Sequence, residues 1–338
     1  MKFLILGGSG NLSSITVRQL LTCSHTVHCI TRGTNPSLET ELRLIGATFI
    51  HVNDLSRLST DFSDKMYGGY DFVIDFIAYT SNDISSHLHC LFGRIRYCYV
   101  YISTTAFYER SFTQDRPYRE DSINISDSWD YAINKYRAEL RLCKLSNDTP
   151  FKTLVIRLGH TIGLSVPVYL GNPGRAFLSY ITDGMPIPFL GDIDHPWSIG
   201  SGYGLSTIIS SLPNAIAELP QYYLFHYSQI QSTWREIYSC LCSALQISTP
   251  LYKCLAAEDV SLVSPHWLPS IVNHKIYYDC YDLTFMSKYF SPITEESTKN
   301  IVSKACDFTL SQGVDQAYHS DRQKLLRLSC LNGYTFSL

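Results

Sequence analysis

The chain has 338 residues, enough for one full hydrophobic core and a smaller lobe. Its composition, 45% hydrophobic and 17% charged, is ordinary for a globular protein. The formal net charge of −3 gives no general attraction for nucleic acid or acidic membranes, which argues against both as partners.

The cysteines and the apolar segments indicate the compartment. The eleven cysteines are scattered and include no C-x-x-C pair, so the sequence predicts free thiols and no metal site. No apolar stretch reaches the ~20 residues of a membrane span, and the first residues do not resemble a signal peptide. We therefore expect a soluble, cytoplasmic protein.

The first half of the chain alternates short apolar runs with longer mixed segments. Apolar runs rich in Val, Ile and Tyr, separated by helices, indicate a parallel sheet covered on both faces. With right-handed crossovers this is an α/β fold, a Rossmann-type doubly wound parallel sheet. The predicted strands are 2–6, 26–31, 48–52, 71–77, 97–103 and 151–157, with helices at 12–21 and 129–145.

The amino-acid composition changes after Gly163. Several prolines and glycines there indicate loops over a binding cleft. Thr233 and Glu236 form a capping box, which predicts a helix with Ile237 and Leu241, followed by Leu245, on one face. We predict a dinucleotide-binding domain at 1–165, a smaller C-terminal substrate lobe at 166–320 with some segments returning to the core, and an irregular tail at 321–338.

The first strand is followed by a glycine turn that opens a helix. The spacing Gly7-x-x-Gly10-x-x-Ser13 brings a pyrophosphate onto the free N–H groups of a helix N-terminus. Ser13 stands where a third glycine is usual, which weakens the motif. The predicted cofactor contacts along this turn are Gly7, Ser9, Gly10, Asn11 and Leu12.

The end of the second strand bears on which dinucleotide is used. Arg32 stands there instead of an acidic residue, and a guanidinium suits a 2′-phosphate, so NADP(H) is preferred, with NAD(H) as the alternative. A solvent-facing arginine is the competing interpretation. Asp54, with Leu55 beside it, ends the third strand and is a candidate adenine contact, although a turn-forming aspartate explains it nearly as well.

The catalytic candidates are Tyr131 and Lys135, four apart on a predicted helix and therefore on one face. A nearby ammonium favours the phenolate and predicts a lowered pKa for Tyr131, which would exchange a proton with a carbinol or carbonyl. The fifth strand ends in Ser103-Thr104-Thr105, which places a hydroxyl at the carboxyl edge of the sheet.

These motifs resemble, in their order, the extended short-chain dehydrogenase/reductase family, which includes UDP-galactose 4-epimerase and nucleotide-sugar dehydratases. The resemblance covers about residues 1–310 and implies Thr104 as hydroxyl partner and Tyr131 as acid/base. It implies Lys135 as cofactor ribose ligand and as the group that tunes Tyr131. The predicted cofactor contacts further include Ile77, Ala78, Leu158 and His160.

Three positions depart from the family pattern: Ser13, Glu109 and the segment 197–202, which lacks the usual His-Val-Asp. Dehydratases carry an Asp-Glu pair where this chain has Thr105-Ala106, so sugar dehydration ranks low. Candidate substrate contacts are Tyr79, Thr105, His195 and Trp197; for Tyr79 a packed or rim position is the stronger interpretation.

The favoured function is an NADP(H)-dependent oxidoreductase acting on a carbonyl or secondary alcohol. The alternatives are an epimerase of a nucleotide-sugar or related substrate with retained cofactor, and a non-catalytic NADP(H)-binding regulatory or RNA-associated protein. A nucleotide-sugar, a sugar derivative and a secondary-metabolite ketone all fit as the small-molecule substrate. The sequence leaves the oligomeric state open; the resemblance makes a homodimer one possibility, since members of this family often pair through a helical face.

Overall fold

A seven-stranded, wholly parallel sheet forms the centre of the computed structural model. The structure describes residues 1–53, 68–108, 116–122, 125, 129–166, 174–189, 192–255, 281–290, 297–311 and 318–330, and the backbone of 334–336. The strands of this sheet are β1 (Lys2–Leu6), β2 (Thr26–Thr31), β3 (Thr48–His51), β4 (Tyr70–Asp75), β5 (Ile95–Thr104), β6 (Lys152–Leu158) and β10 (Tyr222–Tyr227). Their order is β10-β6-β5-β4-β1-β2-β3.

Helices cover both faces of this sheet, as the continuous apolar strands require. Successive side chains of a strand point to opposite faces, so Phe3 and Ile5 join one buried cluster while Leu4 and Leu6 join the other. The first cluster includes α1 (Ser13–Thr22), α2 (Pro36–Leu44) and α6 (Gly202–Ala215); the second includes α3 (Ser81–Leu91) and α4 (Asp130–Ser146). The prediction of a doubly wound Rossmann-type sheet is confirmed.

The order of the strands reverses between β1 and β4. The chain builds outward through β2 and β3 on one side and through β5 and β6 on the other. In such sheets ligands bind in the crevice outside the carboxyl ends of the strands at this reversal. The segments that follow β1, β4 and β5 therefore surround the expected site.

A second packed region follows β6. It contains two three-stranded sheets, one of β7 (His160–Ile162), β9 (Trp197–Ser201) and β11 (Ile230–Ser232), the other of β8 (Ile187–Phe189), β12 (Tyr252–Cys254) and β13 (Tyr334–Phe336). Its helices are α5 (Gly174–Thr182), α7 (Trp234–Ala244), α8 (Thr284–Tyr289), α9 (Thr298–Ser311) and α10 (Tyr318–Cys330). As predicted, Thr233 caps α7 by accepting a hydrogen bond from the Glu236 N–H at 3.1 Å, and Ile237 and Leu241 are buried.

The C-terminal part of the chain differs from the prediction. The stretch expected to be an irregular tail contains most of α10, because Leu325 and Leu328, three apart on one helical face, are both buried. The prediction allowed for segments of the lobe that return to the core, and within this range β10 joins the main sheet and α6 packs against α1. The division into domains at residue 165 stays a prediction.

The helices and the polar side chains of the described ranges can be summarised in two statements. No helix within these ranges is both long and apolar enough to cross a bilayer. The same ranges contain no group of three or more His, Cys, Asp or Glu side chains arranged to hold a metal ion.

Candidate dinucleotide and proton-transfer site

The glycine turn lies at the carboxyl end of β1, against the loop that follows β4. Gly7 has a φ of +85°, and a Cβ there would lie 2.3 Å from Cγ2 of Ile77. Both the backbone conformation and the close packing therefore require glycine. This contact places the predicted cofactor residue Ile77 directly beside the predicted phosphate turn.

Ser13, at the position of the missing third glycine, holds the turn together. Its buried hydroxyl accepts a hydrogen bond from the Gly10 N–H at 2.9 Å and donates to the Gly7 carbonyl. The Ser13 side chain thus holds the turn in shape by hydrogen bonds, where a glycine would do so by close packing of the backbone. The departure from the usual motif leaves the turn intact.

The other predicted residues of the turn have mixed placements. Leu12, the residue before α1, makes no side-chain capping bond, which leaves the N-terminus of α1 open to an anion. The Asn11 side chain accepts from the Ser165 N–H at 2.8 Å and therefore holds the chain after β7. The Ser9 hydroxyl donates to Glu39 at 3.2 Å.

Glu39 is a residue that sequence reasoning missed. Its carboxylate, buried on α2, accepts from Thr31 at 2.6 Å, from His51 at 2.6 Å and from Ser9. Burial alone would raise the pKa of Glu39, but the hydrogen bonds from Thr31, His51 and Ser9 and the attraction of His51 lower it below its usual value. Glu39 therefore carries a stable negative charge that lies at the end of β2 and beside the glycine turn that follows β1.

Arg32, which the sequence assigned to a 2′-phosphate, is exposed just beyond β2. Pro36 at the start of α2 and the Asn35 cap were a signal for this helix, but the direction of Glu39 depends on how the helix packs. Asp54 and Leu55 lie outside the described residues.

Thr104 and Tyr131 meet at the carboxyl edge of the sheet. Their side chains are hydrogen-bonded, and the Thr104 oxygen also accepts from the Ala106 N–H at 3.1 Å. The Tyr131 ring contacts the rings of Trp129 and Tyr79, with centroids 4.8 and 5.7 Å away. Tyr79 thus lies beside the predicted acid/base.

The predicted acidification of Tyr131 by Lys135 is wrong for this structure. Burial raises the pKa of Tyr131, and the hydrogen bond with Thr104 opposes that rise only in part. The Lys135 ammonium donates instead to the carbonyls of Ala78 at 2.8 Å and Ile102 at 3.0 Å. Burial lowers the pKa of Lys135 from 10.5 to about 8, so in most molecules Lys135 stays protonated at neutral pH.

A buried ion pair fixes α4 against the sheet. Arg157 on β6 donates to both oxygens of Glu139, its Nη2 at 2.7 Å from Oε2, and Ser103 donates to Oε1 of the same carboxylate. Glu139 follows Lys135 by one helical turn. The pair therefore sets the position of the helix that carries Tyr131 and Lys135.

Two of the predicted substrate contacts are buried in packing roles. The Thr105 hydroxyl donates to the Leu158 carbonyl at 3.2 Å and is hydrogen-bonded to the Tyr281 hydroxyl at 2.7 Å, so it faces the interior. Trp197, expected at the edge of a cleft, is a core residue of the second packed region and only 2% exposed. Its indole ring contacts Trp234, with ring centroids 5.7 Å apart.

Three predicted contacts remain: His160 and Leu158, predicted to contact the cofactor, and His195, predicted to contact the substrate. His160 packs edge-on against Trp234, 5.1 Å between centroids, which favours a structural role over a cofactor contact. His195 is partly exposed in the turn before β9, and its backbone N–H donates to the Asp192 carbonyl at 3.3 Å. Leu158, the last residue of β6, is buried.

The structure therefore brings one group of predicted residues together. Gly7 contacts Ile77, the next residue Ala78 binds Lys135, and Lys135 lies one turn from Tyr131. This path joins a turn suited to a pyrophosphate to a hydroxyl pair suited to proton transfer.

The fold can be compared with solved structures. It is similar to UDP-glucose 4-epimerase from Bifidobacterium longum in complex with NAD+ and UDP, with a TM-score of 0.70, 11% identity, and 92% of this chain and 98% of that chain covered. It is also similar to UDP-glucuronic acid 4-epimerase from Bacillus cereus in complex with NAD, with a TM-score of 0.66, 15% identity, and 94% and 100% covered.

A third similar structure is UDP-N-acetylglucosamine 4-epimerase from Methanobrevibacter ruminantium in complex with UDP-N-acetylmuramic acid, with a TM-score of 0.67, 16% identity, and 92% and 99% covered. This chain has the fold of these epimerases. No protein-family profile and no curated protein matches the sequence.

Proposed function

We propose that the protein is a dinucleotide-dependent epimerase of a nucleotide-sugar. The observation that carries the proposal is the hydrogen-bonded Thr104–Tyr131 pair at the carboxyl edge of the sheet, joined through Lys135 and Ala78 to the glycine turn. Similar folds in complex with NAD and UDP-sugars support it. The sequence favoured a net NADP(H) reductase; the similar structures favour the epimerase alternative.

Tyr131 is the residue proposed to move the proton. When bound, a nicotinamide dinucleotide would supply a hydride acceptor and donor for a secondary alcohol. The Tyr131 oxygen then takes the hydroxyl proton as the substrate becomes a ketone and returns it when the alcohol reforms. Thr104 keeps the phenol in one orientation by its hydrogen bond. Taking the hydroxyl proton requires the phenolate, so Tyr131, whose pKa burial raises, must first lose its own proton to solvent, a loss that the positive charge of a bound oxidised nicotinamide would favour.

The cofactor proposed is NAD(H) rather than the NADP(H) favoured by the sequence. The glycine turn fits a pyrophosphate, since Gly7 lies close against Ile77 and α1 begins without a side-chain cap. The Glu39 carboxylate beside this turn would repel the two negative charges of a 2′-phosphate. NAD is also the dinucleotide named with the similar structures.

The cofactor assignment is tested by the affinities of NADH and NADPH, measured by fluorescence titration. We expect tighter binding of NADH, and a gain for NADPH in Glu39→Gln, which removes the charge and keeps the shape. Arg32→Ala should affect both dinucleotides equally. Tighter NADPH binding by the wild type, lost selectively in Arg32→Ala, would restore the sequence-based assignment and the reductase.

The activity is tested with the UDP-glucose and UDP-galactose pair, UDP-glucuronate and UDP-N-acetylglucosamine, following interconversion of epimers by chromatography. We expect interconversion without net change in reduced-nicotinamide absorbance. Tyr131→Phe should lower turnover ~100-fold or more while retaining dinucleotide binding. Tyr136→Phe is the matched control, because Tyr136 lies on the same helix and packs against Phe107, 5.1 Å between ring centroids. Equal turnover in both variants would remove Tyr131 from the mechanism.

A further inference from the structure

Asp75, the last residue of β4, is a buried carboxylate outside the proposed proton-transfer pair. It is 0% exposed. Its Oδ1 accepts from the N–H groups of Ile77 at 2.9 Å and Ala78 at 2.8 Å, and its Oδ2 accepts from His87 at 2.6 Å and from the Tyr99 hydroxyl. Four donors fill the acceptor capacity of a carboxylate. Asp75 thus ties the loop after β4 to α3 and β5.

A second carboxylate holds the far end of the same loop. Asp83 accepts from the N–H groups of Tyr79 at 2.9 Å and Thr80 at 2.8 Å, as part of the capping box of α3. Four successive backbone N–H groups are therefore bound, the first two by Asp75 and the next two by Asp83. The path of this loop depends on these carboxylates.

The loop in turn holds Lys135. The Lys135 ammonium is buried and donates to the carbonyl of Ala78 in this loop and to that of Ile102. A buried cation with carbonyl partners needs a negative charge nearby to remain protonated. The groups that act on it are the carboxylates of Asp75, Glu139 and Asp83, which raise its pKa against the effect of burial, and the Tyr101 ring, whose centroid is 4.8 Å from Nζ.

We infer that Asp75 is a positioning residue, which through the Ile77–Tyr79 loop and its own charge holds the Lys135 ammonium at the Ala78 and Ile102 carbonyls and the Tyr79 ring beside Tyr131. Its importance for turnover rests on the proposed function. Its hold on Lys135 is a property of the folded chain and is tested without any substrate.

The test compares Asp75→Asn with Asp71→Asn. An asparagine at 75 retains an oxygen for Ile77 and Ala78 and removes the charge. Asp71 is the matched control, because it lies on the same strand at the opposite end, where it accepts from the Lys2 N–H at 2.8 Å and pairs with Arg96. Each protein, labelled with 13C at lysine Cε, is titrated by NMR, with Lys135→Arg to assign the signal.

The expected result is that the Lys135 acid dissociation constant rises ~10-fold or more in Asp75→Asn and stays unchanged in Asp71→Asn. An unchanged Lys135 titration in folded Asp75→Asn would overturn the inference, whether or not the protein is an epimerase. If that variant does not fold, Tyr99→Phe removes one donor and leaves the carboxylate charged. Lys135 should then titrate at or above its wild-type pH, and a lower value would equally overturn the inference.

Turnover gives the second readout. A packing role alone would lower the amount of folded protein without moving the pH profile. If Asp75 acts through Lys135, the alkaline limb of the profile should move to lower pH in Asp75→Asn, and Lys135→Arg in that background should move it back, because arginine stays charged. A limb at the same pH in both backgrounds would contradict a role in turnover and leave the NMR result to stand by itself.

Discussion

The hydroxyl of Ser13 should contribute measurably to the free energy of unfolding, because it makes two hydrogen bonds within the turn at a position where glycine is usual. Ser13→Ala removes the bonds to the Gly10 N–H and the Gly7 carbonyl. At a net ~1 kcal/mol for each bond, the free energy of unfolding should fall by about 2 kcal/mol. For a chain of 338 residues, with an unfolding entropy of ~2.1 cal/mol/K per residue, this corresponds to a decrease in Tm of roughly 3 °C.

The assay is urea denaturation followed by circular dichroism. Ser14→Ala is the matched control: its neighbouring buried hydroxyl donates one bond, at 2.7 Å to the Gly10 carbonyl within the first turn of the helix. We expect Ser14→Ala to cost less than ~1 kcal/mol, since such a bond back to the helix stabilises little. If Ser13→Ala cost no more than Ser14→Ala, the two-bond account of the turn would be wrong.

Three further predictions concern charge and packing. Turnover should fall as the pH rises through about 8, where the Lys135 ammonium loses its proton. Because folding lowers the Lys135 pKa from 10.5 to about 8, the free energy of unfolding of the wild type, measured relative to that of Lys135→Met, should rise between pH 8 and pH 10.5. Arg157→Met should cost ~3–5 kcal/mol in chemical denaturation by leaving the buried Glu139 unpaired, and adding Glu139→Gln should recover part of it. Trp197→Ala should lower the free energy of unfolding by ~3–5 kcal/mol because it leaves a cavity, and it should not change the dinucleotide affinity. A changed dinucleotide affinity would contradict the placement of Trp197 in the core.

The sequence was informative where a pattern is local. The apolar runs predicted the parallel sheet because strands buried on both faces need no polar alternation. The four-residue spacing placed Tyr131 and Lys135 on one face of α4, and the end of β5 placed Thr104 near them. These relations depend only on the periods of a helix and a strand, which the residue order contains.

Features set by packing between distant segments could not be predicted. Glu39 reaches the turn only because α2 packs as it does against β2 and β3. Trp197 lies in a Pro- and Gly-rich stretch that is typical of loops, but its indole is buried against Trp234. The direction of Lys135 is set by carbonyls of Ala78 and Ile102, 57 and 33 residues away in sequence.

The position of β10 has a consequence for how the chain acquires its fold during synthesis. β6 ends at Leu158, but the strand that covers its outer edge spans Tyr222–Tyr227. A nascent chain therefore presents β6 as an open edge, able to pair with other chains, until the ribosome has made more than sixty further residues. We expect fragments that stop before Tyr222 to self-associate, and a chaperone that covers exposed strands to act on this protein in that interval.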